Sequence, residues 1–245
     1  MVHYASRARA TLMSLTHLPF FFSHISLYVI QTPHGPVLVD TGIPGMSGWI
    51  KNRLQAAGVR PEELAGVILT HCHLDHIGAA RAFLDLGVPL FAHHLELPIL
   101  QGVAPRPTYG DNFSGRMLAL GQKLLPKSKP LRETQPLHND ESLLGSAWHV
   151  VPAPGHSPGS MALWNRDTGD LITGDTLVAD WGTPSGPHPV YTADLPQAQA
   201  SARALLDLAP KRICPGHGPV LEASRFEKLR TELSVRNIPC MESSH

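Results

Sequence analysis

Cysteine is scarce in this 245-residue chain: Cys72, Cys214 and Cys240 are odd in number and far apart. That pattern excludes a disulfide framework and fits reduced thiols, so a cytoplasmic location is expected. An excess of one charge sign is also missing. Lys and Arg total 20 against 20 Asp and Glu, with no basic run of five or more, which argues against nucleic-acid and anionic-membrane partners. Long apolar runs are absent too. The N-terminal apolar stretch after Arg7 and Arg9 is broken by Ser14, Thr16, His17, Ser23 and His24, so it reads as neither a signal peptide nor a membrane span. The length suits one large core, and a single domain over residues 1–245 is expected.

Histidine is what the chain has in quantity, 15 in all. Isolated ones such as His3, His17, His34, His138 and His149 read as surface or satisfied core residues. His93 and His94, which follow Phe91-Ala92 with no glycine turn to expose them, read the same way. Residues 71 to 76 differ: His71-Cys72-His73-Leu74-Asp75-His76 packs three imidazoles and a carboxylate into six positions. Burying that set without a partner costs several kcal/mol. The run follows the strand-like Val67-Ile68-Leu69-Thr70 and precedes Ile77 to Leu84, which continues as a helix. In extended chain His71 and His73 point to one side and Cys72 to the other, while the tightening turn brings Asp75 and His76 to a neighbouring point. Two adjacent metal sites are expected.

Three more polar groups follow short apolar strands in the same way. His156 lies in Gly155-His156-Ser157-Pro158-Gly159 after Trp148 to Val151. Asp175 follows Leu171-Ile172-Thr173-Gly174, and His217 lies in Pro215-Gly216-His217-Gly218-Pro219 after Arg212-Ile213-Cys214. Glycines beside them permit tight turns. Four strand ends thus offer seven ligands: His71, His73, Asp75, His76, His156, Asp175 and His217.

In order and spacing these residues resemble the metallo-β-lactamase superfamily, with its His-x-His-x-Asp-His run followed by His, Asp and His. The resemblance spans Leu38-Val39-Asp40-Thr41-Gly42 to Pro215-Gly216-His217-Gly218. It implies a four-layer αββα sandwich of the α/β class with a dinuclear metal site at one edge of the sheets. His71, His73 and His156 would hold one ion, Asp75, His76 and His217 the other, and Asp175 would bridge them. Asp40 resembles the family's buried acid that orients a ligand imidazole through its other nitrogen.

Imidazole and carboxylate donors without thiolate favour two divalent ions of Zn, with Fe or Mn also suited. Such a pair lowers the pKa of a bridging water from roughly 15.7 towards 7 and polarises a carbonyl or phosphoryl oxygen. A metal-dependent hydrolase using a bridging hydroxide is therefore expected. Thr173 to Leu177 and Pro215 to Gly218 look like glyoxalase II, a thioesterase, and Gly155 to Ser160 is shared with it and with the N-acyl homoserine lactonases. Two departures bear on the substrate. Val178 stands where the lactonases carry a tyrosine, and residues 177 to 193 contain no Lys or Arg, unlike the basic glutathione-binding segment of glyoxalase II. An ester, lactone or thioester with a neutral or apolar acyl group is expected. Alternatives are a mononuclear iron persulfide dioxygenase, using His71, His156 and Asp175, and a phosphodiesterase of the same fold. True β-lactamases lack the bridging aspartate that Asp175 supplies.

Strands are expected at Ile25 to Gln31 and Pro36 to Val39, with a hairpin of Met161 to Asn165 and Asp170 to Thr173. Helices are expected through Met46, Trp49, Ile50, Leu54 and Ala57, through Ala198 to Ala209 after an N-cap at Asp194, and through Phe226, Leu229 and Leu233. Residues 101–140, with Pro105, Pro107, Pro126, Pro130 and Pro136 around a helical pattern at Phe113, Met117 and Leu120, read as an insertion that covers the site. The proline-rich 177–193 segment places Trp181, Tyr191 and, less strongly, His188 towards substrate. Tyr191 is expected to donate to the developing oxyanion in place of the tyrosine absent at Val178.

Overall fold

Period-two alternation sends Leu27 and Val29 to one side of strand β2 (Ile25–Thr32), and Tyr28 and Ile30 to the other; all four are buried. A strand buried on both faces requires cover on both. The computed structural model, which describes residues 15–107 and 129–235, supplies it in four layers. One sheet runs in spatial order β1 (Leu15–Phe20), β2, β3 (Gly35–Val39), β4 (Gly66–Leu69), β5 (Leu90–His93) and β6 (Gln135–Leu137). The other runs β11 (Leu221–Glu222), β10 (Arg212–Pro215), β9 (Asp170–Gly174), β8 (Met161–Asn165) and β7 (Trp148–Pro152).

Between the sheets lies a core in which Tyr28, Ile30, Val37, Val39 and Ile68 meet Trp148, Val150, Met161, Leu163 and Ile172. The outer face of the first sheet packs Leu27, Val29, Leu38, Val67 and Leu69 against Ile50 and Leu54 of α1 (Ser47–Ala56) and Phe83 of α3 (Ala80–Leu84). The outer face of the second packs Ala162, Leu171 and Ile213 against Ala202, Leu205 and Leu206 of α5 (Leu195–Asp207) and Leu233 of α6 (Glu227–Val235). These are the expected αββα layers, and Asp194 caps α5 as expected, accepting from Gln197 N at 3.0 Å. Among the described residues no helix is long and apolar enough to cross a membrane.

The helix expected through Ile77 to Leu84 is broken into α2 (Leu74–Ile77) and α3. Gly78 explains the break. Its N–H donates to Gly42 O at 2.7 Å, and a Cβ there would lie 2.3 Å from the Ile43 and Pro44 backbone, so the chain is pressed against the 42–44 loop too closely for a regular helix. Phe226 belongs to the 3-10 turn Ala223–Phe226 that precedes α6. Of residues 101–140, Gln135–Leu137 forms β6, Leu131 N bonds Leu100 O after α4 (Leu97–Leu100), and the expected helix at Phe113, Met117 and Leu120 lies outside the described residues.

The β1–β2 hairpin is tied to the strand-end loop after β10. Tyr28 OH donates to Pro215 O at 2.8 Å, and Ser26 Oγ donates to Gly218 O at 2.8 Å. Ser26 Oγ therefore accepts from His17 Nε2, 2.9 Å away, while the His17 ring stacks on Tyr28. Burial pushes His17 down to about 4. Its folded pKa lies below the ordinary 6.5, so the unfolded chain takes up that proton first. This contribution to stability is complete above pH 6.5 and is lost as pH falls towards 4. Urea midpoints at pH 7 and pH 4.5 should therefore show a larger acid loss for the wild type than for His17→Gln. Equal losses would contradict the assignment.

Candidate metal centre

Parallel pairing decides which strand ends are neighbours. β3 and β4 run parallel, which sets Asp40 beside Thr70, and β9 and β10 run parallel, which sets Gly174-Asp175 beside Pro215-Gly216. The two sheets then meet at one edge, where Met161 N donates to Thr70 O at 3.1 Å. Side chains leaving these ends converge.

Two donor groups form there: His71, His73, His156 and Asp175, and beside them Asp75, His76 and His217. His156 Nε2 lies 3.2 Å from His71 Nε2 and 2.9 Å from His73 Nδ1. Asp175 faces both groups: Oδ2 is 3.4 Å from His156 Nε2 and 3.3 Å from His217 Nε2, while Oδ1 is 3.2 Å from His76 Nε2. Asp75 Oδ2 stands 3.3 Å from His217 Nε2. All seven residues read from the sequence are brought together, and Cys72 points away into the core, as alternation requires.

The surroundings fix the tautomers. Asp40 Oδ2 accepts from His76 Nδ1 at 2.8 Å, and the same carboxylate accepts from Thr70 N and Thr70 Oγ1, both at 2.8 Å. With its proton committed to Asp40, Thr70 Oγ1 accepts from His71 Nδ1 at 3.1 Å. Thr192 Oγ1 donates to His188 O and so accepts from His156 Nδ1 at 3.3 Å. His217 Nδ1 donates to the carbonyl of His24. Four imidazoles therefore donate through the outward nitrogen and turn Nε2 inward to the shared centre, which is the arrangement of metal ligands held by outer acceptors. Asp40 is buried beneath His76 and bonds its Nδ1.

Residues 21–217 match the family described as Metallo-beta-lactamase superfamily. The chain belongs to this superfamily. It is 30% identical to "Probable metallo-hydrolase YflN" of Bacillus subtilis (strain 168), over 86% of this chain and 87% of that protein. It is 27% identical to "Atrochrysone carboxyl ACP thioesterase" of Aspergillus fumigatus, over 84% of this chain and 54% of that protein. Among solved structures, TTHA1623 in a di-iron-bound form aligns at 27% identity with a TM-score of 0.67, covering 87% of this chain and 97% of that one. Membership in this superfamily of metal-dependent hydrolases agrees with the donor set.

The donors fit divalent ions on their own chemistry. Four donors at about 2.0–2.1 Å from a tetrahedral centre lie about 3.3 Å apart, close to the 2.9–3.4 Å spacings of His156 from His71, His73 and Asp175. His76 Nε2 and Asp175 Oδ1 are buried and make no hydrogen bond. Burial holds His71, His73 and His156 below the ordinary imidazole range, with His73 at about 3, so all three are uncharged at neutral pH. Burial opposes charge on His76 and His217 as well, but Asp175 outweighs it, with Asp40 helping at His76 and Asp75 at His217, which is pushed up to about 12. Despite burial, His76 and His217 hold Asp75 down at about 2. The carboxylates thus demand positive charge at this point, met by protons or by cations that displace them.

Access is on one side. Side chains of His71, His76 and His156 are 1–2% exposed, against 22% for His217 and 37% for Asp75. Gly216 lies at that floor, where a Cβ would sit 2.7 Å from Asp175 Oδ1 and from His76 Cε1. Trp181 is exposed and stands edge-on to His24, ring centroids 4.4 Å apart, so it borders the loop that holds His217. Tyr191 is half-exposed beside His188, one residue before the buried Thr192 that holds His156. His93 and His94 lie outside both donor groups: His93 bonds Asn139 and His94 stacks on His138. The sequence reading missed Thr70, Thr192 and the His24 carbonyl. It also missed Phe21 and Phe22, exposed on the hairpin turn next to His24.

Proposed function

We propose that this chain is a dinuclear metallo-hydrolase, with zinc as its ion, that cleaves a small ester, lactone or thioester bearing a neutral or apolar acyl group. The observation that carries it is Asp175, whose two carboxylate oxygens face both donor groups at 3.2–3.4 Å. Bound there, two divalent ions supply a nucleophilic water at neutral pH and polarise the scissile carbonyl. Asp175 sets the spacing of the two centres. Asp75, the most exposed of the seven, takes the proton released on the open side. A mononuclear dioxygenase would leave Asp75, His76 and His217 without a role, although His76 and His217 are both oriented from behind by Asp40 and His24. Two buried, unpaired thiols, Cys72 and Cys214, suit a reducing cytoplasm.

The rim favours an apolar group. Phe21, Phe22 and Trp181 are 66%, 86% and 77% exposed around His24, and residues 177–193 carry no Lys or Arg for a phosphate or carboxylate. Similarity to a carboxyl thioesterase supports acyl chemistry. A panel of lactones, acyl thioesters and phosphodiesters on the metal-loaded protein tests this. Acyl substrates should be cleaved with kcat/KM rising up to about fourfold per buried methylene. Preference for phosphodiesters, or no dependence on acyl length, would overturn the substrate class.

Tyr191 is proposed to donate its phenolic hydrogen bond to the developing oxyanion; it immediately precedes Thr192, which holds His156. Tyr191→Phe keeps the ring and deletes the donor, so kcat should fall roughly 10- to 1,000-fold with KM little changed. A change in KM alone would make Tyr191 a binding surface.

A further inference from the structure

Glu96 is a fully buried acid that no step above uses. It ends the 3-10 turn His94–Glu96 after β5. Its Oε1 accepts from Ser157 Oγ and from Gly159 N, both at 2.6 Å. The Cys72 thiol lies beside the same carboxylate, whose Oε2 is buried and makes no hydrogen bond. Ser157 and Gly159 belong to the loop that presents His156, and Cys72 lies between His71 and His73. One carboxylate is thus bonded to the segment that supplies His156 and lies against the segment that supplies His71 and His73. The loop is pressed onto it: a Cβ at Gly159 would lie 2.6 Å from Glu96 N and 2.8 Å from Glu96 Cγ. Ser160 closes the loop, with Ser157 N on Ser160 Oγ at 2.9 Å and Ala153 N on Ser160 O at 2.8 Å.

A buried carboxylate is costly, and an apolar residue fills such a position at less expense. Packing alone therefore gives no reason for an acid here. We propose that Glu96 is a positioning residue that sets the separation of His156 from His71 and His73, and so the affinity of the first ion. The second group, Asp75, His76 and His217, takes its orientation from Asp40 and the His24 carbonyl instead. Glu96 acts on one ion of the pair.

This inference rests on the two-ion reading above, and the test separates the two. Chelator-competition titration with Zn2+ gives two binding constants for the wild type, and the first is identified by its loss in His156→Ala. Glu96→Ala should weaken that ion roughly 10- to 100-fold, the range for groups behind a ligand, and leave the second within about threefold. Glu96→Gln, whose amide oxygen still accepts both bonds, should restore the first ion to within about threefold of wild type. If Glu96→Ala fails to fold, Ser157→Ala removes one of the two bonds and should still weaken the first ion selectively. Wild-type affinity for the first ion in Glu96→Ala, or in Ser157→Ala where that variant stands in, would overturn the proposal. So would equal weakening of both ions, or a Glu96→Gln variant as weak as Glu96→Ala. A wild type that binds fewer than two ions would overturn the two-ion reading itself.

Discussion

Asp175→Ala should lower kcat/KM about 1,000-fold or more, since loss of several kcal/mol of charge stabilisation costs tenfold per ~1.4 kcal/mol. The reason is geometric: among the described residues Asp175 is the one side chain within 3.4 Å of both His156 and His217 and 3.2 Å from His76. Without it the two donor groups share no ligand, and His76 and His217 lose the carboxylate that most favours positive charge at their rings. The fold should survive, because Asp175 follows β9 and its removal opens no contact in the three cores. Metal content, kcat/KM and melting in chelator check this together. A variant holding both ions with normal turnover would show that Asp175 bridges nothing.

Gly155→Ala should destabilise the protein by about 3 kcal/mol or more, the combined scale of a left-handed non-glycine residue and an overpacked contact. Gly155 has φ +121°, and a Cβ there would lie 2.2 Å from Ala198 N and 2.6 Å from Ala198 Cα. Helix α5 cannot retreat freely: Ala198 N bonds Asp194 O, and Asp194 N bonds Gly155 O at 2.8 Å. His156, the next residue, would move with the loop. Gly58, at φ +79° with nothing within 4 Å, isolates the backbone part, and its alanine variant should cost about 1–2 kcal/mol. Urea unfolding of the two variants measures the difference. Similar losses in both would remove the steric argument at Gly155.

What the sequence made legible follows from how local each signal is. His71 to His76 are adjacent in the chain, and a period of two already separates His71 and His73 from Cys72, so the first half of the centre could be read directly. His156, Asp175 and His217 could be read because each follows a buried strand and sits among glycines. Asp40 was singled out by the resemblance of its Leu-Val-Asp-Thr-Gly turn to the family's. The supports behind the ligands were not legible, because they have no local signature. A backbone carbonyl such as that of His24 is invisible in sequence, and Thr192 reaches His156 across 36 positions. Glu96 carries no local signal, and its meaning depends on Ser157, 61 residues away. Strand β1 was hidden by Thr16 and His17, whose side chains are only partly buried on a strand paired with β2 alone. The break at Gly78 arises from the tertiary approach of residues 42–44, which no helical periodicity encodes.

The central claim is that two ions share this edge of the sandwich through Asp175. Anomalous diffraction from crystals of the zinc-loaded protein measures it most directly. Two peaks are predicted, one ligated by His71, His73 and His156 and the other by Asp75, His76 and His217, with Asp175 bonded to both. A single peak, or two peaks with Asp175 bonded to one ion only, would contradict the claim.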